Sequence, residues 1–384
     1  MKRVLLSTVA ALAAAVCVSA QGLTATLQQG SSMTAFYGED AFVNAYKAAS
    51  NGATITLSAG TFNTVDSITK RVTIIGNGCE SHDGTNYTYI SYKYIAHYGT
   101  SRYTSLIINA NNVKIEGVYA YYVYLRNVSN THFSHCSIYQ LFATNPHEGT
   151  LIDQSYVTYD YSLPKSVNSC YKNSYVAYFD GINSAANPAY FLNCWLYRFY
   201  DYYLAESGNP QSNYGTPYGV FRNCILGFRD YNYNNLSNTG SYYWKGFYIR
   251  PGVQYSSNEY YNNVFYLYPW RYVKNASGYW TPEFSEEMAD KELIQTWGGN
   301  NYSQTKKGNS MSTWNSLVEN RNNSWYTMLK SDLPLGDDGT VVGLYGGTGF
   351  SINPSIPRIV ESQIDSNTDA AGRLNVKIKV EVNK

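Results

Sequence analysis

Charge is scarce in this chain of 384 residues. Asp, Glu, Lys and Arg make up 14% of it, against roughly 25% in ordinary globular domains. The 28 basic and 27 acidic residues nearly cancel, for a formal net charge of +1. No general attraction to nucleic acid or anionic lipid is therefore expected. Long apolar runs are also missing, so no membrane span is expected. Cysteine spacing fits no zinc pattern. Of 6 cysteines, Cys17 lies close to the start of the chain. The others are Cys79, Cys136, Cys170, Cys194 and Cys224, an odd set that cannot all pair within one chain.

Segment 1–20 has the layout of an export leader. Met1, Lys2 and Arg3 give a basic start, Val4 to Val18 a short apolar run, and Val18-Ser19-Ala20 the small residues before a cleavage point at Gln21. Removing Lys2 and Arg3 takes the basic count from 28 to 26 (28 − 2) against 27 acidic residues, a net charge of −1. The expectation is export, to the periplasm, the cell surface or the medium.

Polarity comes instead from Asn, Ser, Thr and 41 tyrosines, a profile suited to extended strand-rich surfaces. Short segments of one kind recur: Lys114-Ile115-Glu116-Gly117-Val118, Phe133-Ser134-His135-Cys136-Ser137-Ile138, Leu151-Ile152-Asp153-Gln154-Ser155-Tyr156-Val157, Tyr171-Lys172-Asn173-Ser174-Tyr175-Val176, Phe191-Leu192-Asn193-Cys194-Trp195-Leu196, Phe221-Arg222-Asn223-Cys224-Ile225-Leu226 and Tyr260-Tyr261-Asn262-Asn263-Val264-Phe265. They align on Gly117, Cys136, Ser155, Ser174, Cys194, Cys224 and Asn263. The first three intervals are then 19 each (136 − 117, 155 − 136, 174 − 155), and the fourth is 20 (194 − 174). The last two stretch to 30 (224 − 194) and 39 (263 − 224). A step of this size is the scale of a solenoid coil, and longer intervals mark loops inserted into coils.

Each segment reads as a corner. An apolar residue points inward, Asn bends the chain, and a small residue and a second apolar one follow. Asn173, Asn193, Asn223 and Asn262 are placed to form a side-chain ladder, and Cys136, Cys194 and Cys224 read as core. A β-sandwich is the competing architecture, but it has no reason to repeat one corner so regularly. The fold expected is an all-β right-handed parallel β-helix. Phe42, Ala45, Tyr46 and Ala49, after Asp40, predict a cap helix ended by Asn51-Gly52. The alternation of Leu374, Val376, Ile378, Val380 and Val382 with polar residues predicts a closing strand. One domain over 21–384 is expected, with a cap at about 35–62, regular coils at about 63–200, coils with insertions at about 201–330 and a C-terminal cap at about 331–384.

Ala41-Phe42, Ala45 to Ala49, Ala53-Thr54-Ile55-Thr56-Leu57-Ser58-Ala59-Gly60-Thr61-Phe62 and Val72-Thr73-Ile74-Ile75-Gly76-Asn77-Gly78 resemble the N-terminus of the pectate-lyase-like (pectin-lyase-fold) superfamily. Tyr345-Gly346-Gly347-Thr348-Gly349-Phe350 with Pro354 to Ile359 is similar to the tail of secreted β-helix proteins of Bacteroidetes-type bacteria. The resemblance covers most of 35–384 through loose motifs. It implies the fold, and a groove over the first-strand face, without settling activity. The polygalacturonase set is missing, since Asp337-Asp338 lies in a Gly-flanked loop and Pro146-His147-Glu148-Gly149 is not G-H-G. The W-x-D-H of many pectate lyases is missing too, and Trp270-Arg271 reverses the methylesterase order.

Two sets of candidate site residues remain. Asp160, Asp180, Asp201 and Asp230 fall five to seven residues past successive corners, with Arg198, Arg229 and Glu206 beside them. Carboxylates at Asp180, Asp201 and Asp230 suit calcium. With Arg198, Asp201, Glu206, Arg229 and Asp230 as catalytic groups, proton abstraction next to a uronate carboxylate would follow. Asp is equally an ordinary turn residue. The second set is aromatic: Trp244, Tyr248, Arg250, Trp270, Arg271, Tyr272 and Trp280 lie where intervals lengthen and suit stacking on sugar rings. His132, His135 and His147 have poor metal spacing and receive no role. The function expected is binding of complex carbohydrate by a secreted monomer; the alternative is a lyase or hydrolase on acidic polysaccharide, with calcium. The irregular half is expected to carry the function and the regular half to serve as scaffold.

Overall fold

A computed structural model describes residues 22–79, 87–97, 100–179, 187–199, 219–228, 259–290, 308–319, 329–351, 358–364 and 376–381. The chain starts with a hairpin, β1 (Thr24–Gln29) and β2 (Ser32–Tyr37), followed by a helix, α1 (Ala41–Ala48), and by β3 (Ala53–Leu57). β1 pairs antiparallel with β2 on one side and with β3 on the other. α1 buries Ala41, Phe42, Ala45 and Tyr46, the face its apolar spacing predicts. Asp40 stands at its N-cap without capping through its side chain; its carboxylate accepts from Asn63 Nδ2 at 2.9 Å instead.

Two 11-stranded sheets follow. In the first, β3 is joined in parallel by strands at Val72–Ile75, Lys114–Glu116, His132–Ser134, Leu151–Asp153, Cys170–Lys172, Ala189–Leu192, Gly219–Arg222 and Glu259–Tyr261. The second runs in parallel through Gly60–Phe62, Thr88–Ile90, Val118–Leu125, Ser137–Ala143, Tyr156–Tyr161, Tyr175–Phe179, Trp195–Phe199, Ile225–Phe228, Val264–Leu267 and Ser310–Met311, and its eleventh strand, Leu106–Ile108, pairs with the far half of Val118–Leu125. From Lys114 onward the chain visits the two sheets in turn, so each strand finds its parallel neighbour one repeat earlier in the sequence. The protein is all-β with long parallel sheets, and among the described residues no helix is long and apolar enough to cross a membrane.

The corner between a first-sheet and a second-sheet strand is made by one residue in the left-handed region. Gly117 (φ 65°), His135 (51°), Gln154 (44°), Asn173 (42°), Asn193 (52°), Asn223 (54°) and Asn262 (52°) occupy it. Short amides and glycine tolerate that conformation at least cost. Gly117 therefore does not align with Cys136, as its small size suggests. Lys114 pairs with His132, so Gly117 matches His135 and the first step is 18 (132 − 114).

Just past the corner a buried ladder runs along the stack. The amide of Cys136 donates to Ser155 Oγ at 3.0 Å, and that of Ser155 to Ser174 Oγ at 3.2 Å, each from 19 residues away. Cys194 N reaches Cys224 Sγ at 3.4 Å across 30 residues, and Cys224 N reaches Asn263 Oδ1 at 2.8 Å across 39. Inserted loops thus leave the ladder's register intact. Inside, the first sheet contributes Ile55, Ile74, Ile115, Phe133, Ile152, Tyr171, Phe191, Phe221 and Tyr260, all buried. The last four stack, with centroids at 4.7, 4.8 and 5.2 Å. Ala120, Ile138, Val157, Val176, Leu196, Leu226 and Phe265 face them from the second sheet.

Residues 333–351 lie along the corners. Asp337 N donates to Asn223 Oδ1 at 3.2 Å, Asn193 Nδ2 to Asp338 Oδ2 at 3.3 Å, Asn173 Nδ2 to Leu344 O at 3.0 Å, and Ser351 N to Gln154 Oε1 at 2.9 Å. The corner amides of Asn173, Asn193 and Asn223 direct these bonds to the C-terminal segment, where the sequence suggests a ladder among themselves. A Cβ on Gly347 (φ 57°) would stand 2.2 Å from Asn193 Nδ2, so the Gly-rich string permits close approach. The segment also closes a second apolar cluster. Leu333, Val342 and Leu344 pack with Tyr156, Tyr175, Trp195, Ile225, Val264 and Trp314 on the outside of the second sheet. Farther on, Arg358–Ile364 and Val376–Glu381 form an antiparallel pair, the latter within the predicted closing strand.

Candidate functional site

Most residues of the two predicted sets lie outside the described residues: Asp180, Asp201, Glu206, Arg229 and Asp230 of the acidic column, and Trp244, Tyr248 and Arg250 of the aromatic set. Arg198 stands in the strand Trp195–Phe199. Trp270, Arg271, Tyr272 and Trp280 stand in an antiparallel hairpin, Trp270–Lys274 with Trp280–Phe284. Trp270 packs edge-on against Phe284 at 5.3 Å. Among the described residues no group of three His, Cys, Asp or Glu side chains is placed to hold a metal ion.

The one member of the acidic column inside the described residues is not at a turn. Asp160 is fully buried. It pairs in register with Leu141 and Phe179, an inward-facing row of the second sheet. Ser162 donates to its Oδ1 through the amide (2.8 Å) and the hydroxyl (2.7 Å), and the Tyr171 hydroxyl donates to Oδ2. The offset that places the column on an open groove is therefore wrong for this coil. His147, also buried, closes the same network: Nε2 donates to Ser162 O at 3.1 Å and Nδ1 accepts from Thr150 Oγ1 at 2.8 Å. Burial lowers its pKa, which favours the neutral ring this pairing needs.

What the structure does bring together is a face on the regular coils, where the sequence suggests scaffold. On the second sheet, between and beyond the inward rows Ala120–Ile138–Val157–Val176 and Val123–Leu141–Asp160–Phe179, tyrosines stand outward coil after coil. Tyr92 is 47% exposed, while Tyr121, Tyr122, Tyr139, Tyr159, Tyr161 and Tyr178 are half-exposed. Ring centroids are 5.7 Å apart for Tyr92–Tyr121, 4.3 Å for Tyr121–Tyr139, 5.4 Å for Tyr139–Tyr159 and 6.1 Å for Tyr159–Tyr178. Beside them Tyr124, Phe142 and Tyr161 stack nearly parallel at 4.9 and 5.2 Å. Tyr122–Gln140–Tyr159–Tyr178 and Tyr124–Phe142–Tyr161 are rows of the parallel register, and Tyr121 and Tyr139 stand one position before Tyr122 and Gln140.

Four strands of this face carry no outward charge. The four strands Val118–Leu125, Ser137–Ala143, Tyr156–Tyr161 and Tyr175–Phe179 hold no Lys, Arg, His or Glu, and their one Asp points inward. Burial raises the pKa of the Tyr89 hydroxyl to about 12 and also raises those of Tyr119 and Tyr139. All three remain phenols at neutral pH, able both to donate and to accept. The neighbouring row Tyr156–Tyr175–Trp195 is closed off, with Phe350 against Tyr156 at 5.2 Å and Trp314 against Trp195 at 6.3 Å. The signal for the open row was in the sequence: Tyr159 and Tyr178 are one regular step apart (178 − 159 = 19).

Comparison with protein-family models, with curated proteins and with solved structures finds no match to this chain.

Proposed function

We propose that the chain is an exported right-handed parallel β-helix that binds a neutral polysaccharide on its open tyrosine face. The winding is supported by the alternation of strands between two parallel sheets, by the strong preference of parallel crossovers for the right hand, and by the resemblance to the pectate-lyase-like superfamily. Export is supported by the leader-like segment 1–20. The observation that carries the binding reading is the row Tyr92–Tyr121–Tyr139–Tyr159–Tyr178, rings with polar tips on an uncharged surface. Flat rings meet the apolar faces of pyranoses, and phenol hydroxyls meet their alcohols. Without charge, the face has no basis for preferring an acidic polymer. Trp244, Tyr248 and Arg250, together with Arg271, Tyr272 and Trp280 of the antiparallel hairpin, are proposed contributors to the same ligand.

Affinity electrophoresis against soluble xylan, mannan, mixed-linkage glucan and polygalacturonate tests this. Retardation by a neutral polymer is expected. Tyr139→Ala or Tyr159→Ala should weaken it by about tenfold, near 1.4 kcal/mol. Absence of retardation by every neutral polymer, or variants that bind as the parent does, would remove the reading.

A further inference from the structure

Among the described residues β2 ends the first sheet, bonded on one side only, to β1. Its residues are Ser-Met-Thr-Ala-Phe-Tyr, and all but Phe36 are exposed. Natural edge strands are blunted by charges, prolines or bulges; β2 has no charge, no proline and an unbroken register with β1.

The direction of its main-chain groups can be read from its neighbours. Leu23 O accepts from Gly38 N at 2.9 Å, on the β2 side, and Thr24 O accepts from Ser58 N at 2.9 Å, on the β3 side. Alternation then turns Ala25, Leu27 and Gln29 toward β2, where Phe36, Thr34 and Ser32 face them. Met33, Ala35 and Tyr37 are left with N–H and C=O directed outward from the sheet. Their side chains share one face, and Met33 and Tyr37 are 46% and 56% exposed.

We propose that β2 pairs antiparallel with β2 of a second copy, about a twofold axis through Ala35, so that two first sheets become one. In that register Ala35 stands opposite its counterpart, and Met33 of each copy stands opposite Tyr37 of the other. These are the residues whose main-chain groups point outward, so each pair exchanges two hydrogen bonds. The face polarity agrees as well, because a twofold axis perpendicular to the sheet keeps side chains on the side they already occupy. Each exposed thioether then covers an exposed phenol ring, with the smallest side chain at the axis. An uncharged strand meets its copy without repulsion, and a closed pair leaves neither edge open for further growth. Under the export reading segment 1–20 is removed and does not compete for this edge. The glycan reading is not needed for any step.

The test is the mass of the purified protein by sedimentation equilibrium over a wide concentration range. Twice the chain mass is expected. Ala35→Pro removes an N–H that β1 does not use, and Ala35→Lys sets two ammonium groups on the axis. Both variants should shift the protein to a single chain mass with unchanged far-ultraviolet circular dichroism. Ala35→Cys should join two copies through a short bis-maleimide. A single chain mass for the parent at every concentration, or a double mass that survives both variants, overturns the proposal.

Discussion

Asp160 occupies an inward row otherwise held by Leu141 and Phe179, and its carboxylate is kept there by donors from Ser162 and Tyr171. Truncation would strand these donors inside the core. Asp160→Ala should destabilise by about 3 kcal/mol or more, read from the urea midpoint. Histidine gives a pH dependence with a definite sign. Burial lowers the pKa of His132, His135 and His147 below the ordinary 6.5. As pH falls the unfolded chain takes up these protons first. The stability contributed by neutral histidine is therefore intact above 6.5 and is lost as pH falls through the lowered folded values. The thermal midpoint should drop on acidification across that range, and His147→Gln should flatten the slope.

The corner ladder is an element-scale device in which thiol, hydroxyl and amide are interchangeable. Cys224 Sγ accepts from Cys194 N and holds its one proton between the carbonyls of Phe191 and Arg222, each at 3.3 Å, as the Ser174 hydroxyl does between those of Ile152 and Lys172. Cys224→Ser should therefore change stability by less than about 1 kcal/mol, whereas Cys224→Val, which deletes the acceptor, should cost about 1–3 kcal/mol in equilibrium unfolding. Gly347→Ala should loosen the C-terminal segment, because the added Cβ meets Asn193 and the left-handed backbone disfavours it. Faster proteolysis within 333–351, with the coils intact, is the expected readout.

For the whole molecule, the stack was legible because its corner needs a residue at positive φ, and Asn173, Asn193, Asn223 and Asn262 carry that need in their identity. The one-residue slip at Gly117 comes from aligning on small size, since glycine satisfies both the corner and the small position. Asp160 was misplaced because a carboxylate with internal donors has the same letter as one at a turn. The C-terminal segment was invisible as a partner of the corners. Its contacts join residues as far apart as the 197 positions between Gln154 and Ser351, and no local periodicity encodes them. The tyrosine face was hidden because the aromatics that stand out in the sequence lie in insertions, while the open row belongs to the most regular coils. A neutral face also fixes how binding responds to salt. Retardation by neutral polymers should be flat across a range of sodium chloride that screens charge pairs.

The C-terminal segment has a mechanical consequence. Its bonds to the corners come in chain order, Asn223 first, then Asn193 and Asn173, and Gln154 last. A load pulling on the segment from its C-terminal side meets the Ser351–Gln154 bond first, then the cluster at Asn173 made with Thr348, Gly346 and Leu344, and last the bonds at Asn193 and Asn223. The sheets, in contrast, hold each coil by several bonds loaded together. Tension should peel this seam in steps while the coils stay wound, the largest step being release of Leu333, Val342 and Leu344 from their apolar cluster, so the molecule gives way gradually before it breaks.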